Sequence, residues 1–428
     1  MNKVRIAILG VGNVGSGVWK ILNTNQKEIR KRSGYDIEVA KILVNDINKK
    51  RNIDLPREIL TTNVEDILND PTIEIVVELM GGNEPAMDYI LRAMRKKKHV
   101  VTANKLLLAT RGVELMEVAE EEGIMLYYEA SVGGGIPVIH GINESLTANR
   151  IENIVGILNG TTNYILTKMA SEGMSFDDAL KEAQEKGYAE ADPTSDVEAY
   201  DAVYKLAILA SLAFGTKIDV DSIYREGITK IKSEDIEFAK EFGYTIKLIG
   251  SAKEIDGALQ MRVHPAMISN KHPLSNVNDS FNAIFIKGNA IGDLIMVGRG
   301  AGDLPTGSAV VGDIISILRS NVDLSSINEN KEVSKTKKIM SMDETVCEYY
   351  IRLWVNDRPG CLGEITTTFG KHEVSIASVR QKGERGSYVP LVFITHATAE
   401  GNLRKALEEI KQIPGISKVD NIIRVENL

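Results

Sequence analysis

Apolar positions in the first 130 residues alternate between two rhythms. Short β-branched runs at Val4–Leu9, Ile37–Val44, Ile73–Leu79, Val100–Val101 and Ile124–Tyr128 predict buried strands. Between them, Val14–Arg32, Glu84–Lys98 and Lys105–Glu122 carry helical period. Strands separated by helices of this length predict parallel βαβ units, an α/β doubly wound sheet. The rhythm changes after Ser131, where Gly133, Gly134, Gly135 and Pro137 interrupt any period. Ile151–Leu158 predicts a strand, and Tyr164–Glu172, Ser175–Lys186 and Ser195–Phe214 predict helices. From Tyr244 to Val297 the runs suit antiparallel pairing, with turn residues at Ile255-Asp256-Gly257 and Lys287-Gly288-Asn289. Thr306–Arg319 predicts one more helix, so this stretch is α+β.

Ser320–Glu344 is polar and aperiodic, the pattern of a linker. Beyond it come strand Glu348–Asn356, helix Cys361–Lys371, strands Val374–Gln381 and Tyr388–His396, helix Asn402–Ile413 and strand Ile416–Val425. That βαββαβ order predicts a ferredoxin-like module. The expected segments are therefore 1–131, 132–319, a linker at 320–346, and 347–428.

Composition narrows the function classes. A net charge of -8 disfavours the broad basic face that nucleic acid requires. No apolar run approaches the ~20 residues of a membrane span. Two cysteines, Cys347 and Cys361, cannot form a disulfide framework, which favours a reducing, cytoplasmic compartment. The first residues mimic a signal peptide, but the apolar run enters Gly10 and Gly12 with no cleavage site.

Gly10-Val11-Gly12-Asn13-Val14-Gly15 is a G-x-G-x-x-G loop placed between the first strand and the first helix. In that setting Gly10 permits the tight turn, Gly12 lets backbone approach a pyrophosphate, and Gly15 lets helix pack on strand. The helix N-terminus supplies free N–H groups to the phosphates. A Rossmann domain binding NAD or NADP is the reading. Asp46 suits the ribose 2′-hydroxyl of NAD, whereas Lys49, Lys50 and Arg51 suit the 2′-phosphate of NADP, or form a solvated loop.

Thr102-Ala103-Asn104-Lys105 follows a strand whose carboxyl end faces the ligand crevice, which places Lys105 near a nicotinamide; otherwise it is a surface lysine. Gly187-Tyr188-Ala189-Glu190-Ala191-Asp192-Pro193 is a dense turn-and-acid cluster, followed by Asp196, Asp201 and Lys205. Asp201 and Lys205 share one helix face, as an i,i+4 ion pair or as the lining of a cleft on an apolar helix. One lysine with two carboxylates suits an amino-acid substrate. Glu129 and the Gly-rich stretch from Val132 to Ile136 form either a hinge or an oxygen-ligand site for a monovalent cation.

Together these segments resemble homoserine dehydrogenase. The resemblance is carried by Gly10–Gly15, Thr102–Lys105, Glu129–Gly133, Asn159-Gly160-Thr161-Thr162-Asn163-Tyr164-Ile165-Leu166, Gly187–Pro193 with Asp201 and Lys205, and Gly298–Gly302 with Pro305-Thr306. Asp357-Arg358-Pro359-Gly360-Cys361-Leu362 in the tail is similar to an ACT regulatory domain. No aspartokinase segment precedes the fingerprint, so the monofunctional enzyme is expected.

The resemblance implies NAD(P)-dependent interconversion of L-homoserine and L-aspartate 4-semialdehyde, on the route to threonine and methionine. It makes Lys205 the proton donor and acceptor, places Lys105 beside the nicotinamide, and gives Glu190 and Asp201 the substrate's amino group. Cofactor contacts fall on Val11, Asn13, Val14, Lys105, Gly187 and Gly302. A sodium-type cation falls on Glu129 and the backbone of Val132, Gly134 and Ile136. A homodimer or homotetramer is expected, with an effector such as threonine at the ACT domain. Ala199 replaces a usual glycine, and Asn45 an arginine common in the family. A catalytically silent sensor, and a dehydrogenase for another amino acid, are the competing readings.

Overall fold

In a computed structural model that describes residues 2–320, 337–383 and 388–428, Asn2–Leu9 is a central strand of a six-stranded parallel sheet. Its order across the sheet is Leu60–Thr61, Tyr35–Leu43, Asn2–Leu9, Ile73–Glu78, His99–Thr102, Leu126–Tyr127. In chain order that is 3-2-1-4-5-6, the doubly wound dinucleotide-binding arrangement. Ile6, Ile8, Ile42, Ile75, Val77 and Val101 are buried at its centre, which is why these strands read as continuous apolar runs. The two-residue strand Leu60–Thr61 carries no such run. The helix expected over 14–32 is two, Asn13–Thr24 and Gln26–Ser33, parted at Asn25, where Asn23-Thr24-Asn25 has low helix propensity.

This sheet belongs to the first of two units, which comprises Met1–Ile154, Tyr204–Val220 and Asn282–Lys337. Within it, helix Asp303–Arg319 joins the sheet's core through Val310, Val311, Ile314 and Ile317. It crosses helix Asn13–Thr24 at a contact built from two glycines. A Cβ on Gly17 would stand 1.8 Å from the Asp303 carbonyl oxygen, and one on Gly307 would stand 2.8 Å from Gly17 backbone. Lys20 and Asp303 close the same crossing with a 2.7 Å ion pair.

The second unit comprises Val155–Val203, Asp221–Phe281 and Lys338–Leu428. Its long hairpin pairs Tyr244–Ile255 with Ala258–Ser269 through a turn at Asp256 (φ 49°) and Gly257 (φ 79°), as the turn residues predict. The sheet continues through Ile416–Glu426, Val346–Asn356, Tyr388–Thr395 and Ile376–Gln381. Those last four strands form the ferredoxin-like module around Tyr349, Ile351, Leu353, Phe369 and Phe393. A module this small needs outside support. Support comes from its own chain: Ala266, Met267 and Ile268 pair in parallel with Arg424, Val425 and Glu426.

Most of the linker expected at 320–346, namely 321–336, lies outside the described residues. Its last part is tied down, since the N–H of Leu259 donates to the Lys338 carbonyl and the N–H of Met340 donates to the Leu259 carbonyl. Among the described residues no helix is long and apolar enough to cross a membrane.

Candidate active site

In the first unit, the Gly10–Gly15 loop has the form that its spacing predicts. Gly10 adopts φ 93°, and a Cβ there would press 3.0 Å from the Leu79 carbonyl. A Cβ on Gly15 would stand 2.5 Å from the Gly10 carbonyl oxygen, so glycine alone lets this helix start here. At Gly12 a Cβ would meet nothing within 4 Å. That open space, above a helix N-terminus with no side-chain cap and no acidic residue in its first turn, fits a pyrophosphate. Gly302, at φ 126°, is the N-cap of helix Asp303–Arg319, also without a side-chain cap. Asp46 accepts the Asn48 N–H at 2.7 Å, and Arg51 donates to the Asp46 and Lys49 carbonyls.

Lys105 opens helix Lys105–Glu121 and is half-buried. The residues before it hold the loop that follows the fourth strand. Asn104 caps the helix by accepting the Leu107 N–H, and its amide donates to the Gly82 carbonyl at 2.6 Å. Glu78, fully buried, accepts the N–H groups of Met80 and Gly81 and the Thr102 hydroxyl. Glu78 is a positioning residue that sequence reasoning passed over as part of an apolar strand.

Glu129 is buried, with burial raising its carboxyl above the ordinary range. Its two oxygens accept the N–H groups of Ile139 (2.9 Å) and His140 (2.7 Å), so the carboxylate caps the turn after Pro137. Val132, Gly134 and Ile136 lie on the Gly-rich bend below it. Gly134 is pinned there, because a Cβ would stand 2.5 Å from Gly300 backbone. The Ile136 carbonyl accepts the Val138 N–H at 2.8 Å. Among the described residues no group of three His, Cys, Asp or Glu side chains could hold a metal, so any cation here would rely on backbone carbonyls.

In the second unit the carboxylates gather. The helix expected over 195–214 is broken into Thr194–Val197 and Tyr200–Phe214 by Ala199, which is buried and takes the left-handed φ of 66°. The break lets Asp196 and Asp201 approach one side chain, Asn159. Its amide nitrogen donates to Asp196 at 2.6 Å and to Asp201 at 2.9 Å. Asp201 is 3% exposed and Asn159 4%. Asp196 follows the acidic cluster in sequence, and the helix break brings it to Asn159. Glu190 stays at the surface on the loop after Gly187 (φ 74°), with its carbonyl accepting from Gln184. Lys205, 8% exposed, follows four residues after Asp201 on helix Tyr200–Phe214 and is counted with the first unit.

Two family models match these segments, the homoserine dehydrogenase NAD-binding domain over residues 10–129 and the homoserine dehydrogenase domain over 137–315. The chain belongs to the homoserine dehydrogenase family. A third model, the ACT domain, matches 349–415. A homoserine dehydrogenase from Synechocystis is 44% identical over 99% of both chains. The crystal structure of one from Thiobacillus denitrificans matches at TM-score 0.92 and 40% identity, covering 100% of this chain and 99% of that one. A hyperthermophilic archaeal homoserine dehydrogenase mutant in complex with NADPH matches at TM-score 0.60 and 27% identity, covering 74% of this chain and 97% of that chain. This homoserine dehydrogenase is thus an NAD(P)-dependent oxidoreductase that interconverts L-homoserine and L-aspartate 4-semialdehyde, in amino-acid biosynthesis. Its ACT domain points to regulation by an amino acid.

Proposed function

We propose that this homoserine dehydrogenase uses Lys205 to move the proton, Lys105 to assist beside the nicotinamide, and Glu190 and Asp201 to hold the substrate's α-ammonium. The observation that supports the reading is the pair of carboxylates, Asp196 and Asp201, bonded to one amide nitrogen in a largely buried setting. Two adjacent carboxylates, Asp201 buried and Asp196 partly so, repel, and a cationic ligand relieves that repulsion.

Hydride acceptance from C4 of homoserine is the chemistry that a bound nicotinamide supplies. Lys205, as the neutral amine, takes the C4 hydroxyl proton; in reverse, its ammonium protonates the oxygen of the reduced aldehyde. Val11, Asn13 and Val14, with Gly187 and Gly302, contact the dinucleotide, whose choice between NAD and NADP turns on Asp46 against Lys49, Lys50 and Arg51. A monovalent cation, sodium in type, rests on Glu129 and the carbonyls of Val132, Gly134 and Ile136. Threonine at Asp357–Leu362 is the expected effector, the protein works in the cytoplasm, and two or four copies assemble.

One steady-state assay with homoserine tests the scheme, run with NAD and with NADP, with and without threonine and sodium. Lys205→Ala should lose turnover by several orders of magnitude while binding cofactor normally. Near-normal turnover in that variant defeats the assignment.

A further inference from the structure

Asn282, the second residue of strand Phe281–Gly288, belongs to the first unit and is fully buried. Neither its amide oxygen nor its amide nitrogen has a hydrogen-bond partner. Native interiors leave few polar groups in that condition, and each calls for a cause such as strain, a catalytic task, or a bound water or ion. The amide faces the backbone of Gly300, where a Cβ would collide with its Cγ and with both of its terminal atoms. Gly300 in turn carries the Gly-rich bend. A Cβ on Gly134 would stand 2.5 Å from the Gly300 carbonyl carbon, and the Gly135 N–H donates to the Arg299 carbonyl at 3.1 Å. Asn282, Gly300 and Gly134 therefore meet in series, at a run of residues, Gly298–Gly302, of which only Gly302 has a role in the scheme above.

We propose that the amide oxygen of Asn282 is a ligand of the monovalent cation at the Val132–Ile136 bend, a second side-chain oxygen beside Glu129. This rests on the reading of that cation given above.

The argument is one of oxygen supply and charge. Hard cations take several oxygen ligands. Of those ascribed to this site, both Glu129 oxygens already accept a backbone N–H, and the Ile136 carbonyl accepts the Val138 N–H. Asn282 brings an oxygen with both lone pairs unspent. A neutral oxygen is also the right kind. Glu129 and Asp313 already bear on each other as like charges, and a third carboxylate would add to that repulsion. A water on the same cation would accept from the amide nitrogen, so one occupant satisfies both orphaned atoms. Glycine at 300 is what lets the amide come so close, since any side chain there would fill the amide's place.

The readout is the melting temperature of the full chain without substrate, at pH 8, in sodium chloride and in choline chloride of equal ionic strength, each with and without NADP. An ion that binds the native chain raises the melting temperature, and titrating it gives the affinity. Asn282→Leu keeps the branched shape without the oxygen and should weaken sodium binding about tenfold or more. Asn282→Asp keeps the shape and adds a charge. It should melt earlier in choline, where the buried carboxylate has no counter-ion, and gain more than wild type from sodium. Both variants should keep the rise that NADP produces.

A gap between the two salts that narrows in Asn282→Leu and widens in Asn282→Asp bears the proposal out, because an amide needed only for packing would shift both salts alike. A wild-type gap that both variants retain unchanged overturns the proposal and leaves the cation reading standing. If wild type melts alike in both salts, both fall. If Asn282→Leu keeps its response to sodium and loses the rise from NADP, the amide serves the dinucleotide and the proposal is overturned.

Discussion

Arg352 of the ACT domain and Asp235 of helix Ser233–Glu241 form a fully buried, two-pronged ion pair, Nε to Oδ1 at 2.8 Å and Nη2 to Oδ2 at 3.0 Å. Tyr350 and Asn421, also in the module, donate to the same carboxylate. A second cluster lies along the joined strands, where Arg262 meets Glu426, and Arg424 meets Glu400, Glu226 and the Tyr224 hydroxyl. These charges lie where the module meets the hairpin, so the module is not a detachable appendage. Asp235→Ala leaves the buried Arg352 with Asp420, at 2.8 Å, as its remaining charged partner and should cost about 3 kcal/mol, whereas a paired Asp235→Leu and Arg352→Met replacement should cost far less. Urea unfolding of the two variants checks this. A chain ending at 345 leaves Asp235 and Arg262 without these partners, and the edge of strand Ala258–Ser269 unpaired. It should express poorly or aggregate rather than report cleanly on inhibition.

His140 should make the stability of the first unit depend on pH. Its Nε2 bonds Asp313 and its Nδ1 bonds Glu144, both at 2.8 Å, and Glu129 lies nearby. The bond to Asp313 outweighs partial burial, which acts downward, and pushes the imidazole up to about 9. A folded-state value above the unfolded one near 6.5 means that the native protein holds the extra proton between the two. The stabilisation is full below about pH 6.5, is lost as pH climbs through 9, and amounts to about 3 kcal/mol. Melting curves of wild type against His140→Gln should converge at high pH and diverge at neutral pH. A constant gap between them speaks against the assignment.

Lys247 should act with the opposite sign. Its amine is 1% exposed and donates to the Val277 carbonyl at 2.6 Å, and burial lowers it to about 8. Here the unfolded chain binds the extra proton between about pH 8 and 10.4, so stability rises with pH across that window. Lys247→Met should flatten the rise while lowering stability overall, because Val277 and Asn163 lose a donor. Unfolding by urea at a series of alkaline pH values separates the two effects.

The parts of this molecule that were legible in advance are those with local causes. The Gly10–Gly15 loop, the parallel strands, the hairpin turn at Asp256-Gly257 and helix Cys361–Lys371 each follow from a short stretch of residues. What escaped depends on partners far along the chain. The local pattern around Ala199 predicts continuous helix, since alanine favours it on either side, and only the family's usual glycine at that position hints at a left-handed residue. The break there is held by the Ile228 N–H bonding the Val197 carbonyl and by Gly227 packed against the same oxygen. Asn159 reads as a helix cap, and its second task shows only when Asp196 and Asp201 arrive from some 40 residues on. The parallel pairing of Ile416–Glu426 with Ala258–Ser269 is likewise invisible to any local pattern.

Two glycines in the first unit should respond to the same substitution in opposite ways. Gly12→Ala places its methyl group in open space, with no protein atom within 4 Å, so folding should be nearly indifferent and the melting temperature almost unchanged. That space is where a pyrophosphate must approach, so affinity for NADP should fall tenfold or more. Gly17→Ala drives its methyl group 1.8 Å from the Asp303 carbonyl, a backbone atom that cannot swing aside. Helix Asp303–Arg319 must then back away from helix Asn13–Thr24, loosening Val310 and Ile314 in the core, at a cost of about 1–3 kcal/mol. The same retreat carries Gly302 and its helix N-terminus off station, so cofactor affinity falls as well. Thermal melting with and without NADP distinguishes the two. Gly12→Ala should melt like wild type alone but gain little from added cofactor, while Gly17→Ala should melt early in both. If Gly17→Ala melts like wild type, the close crossing of these two helices is not what holds Gly302 in place.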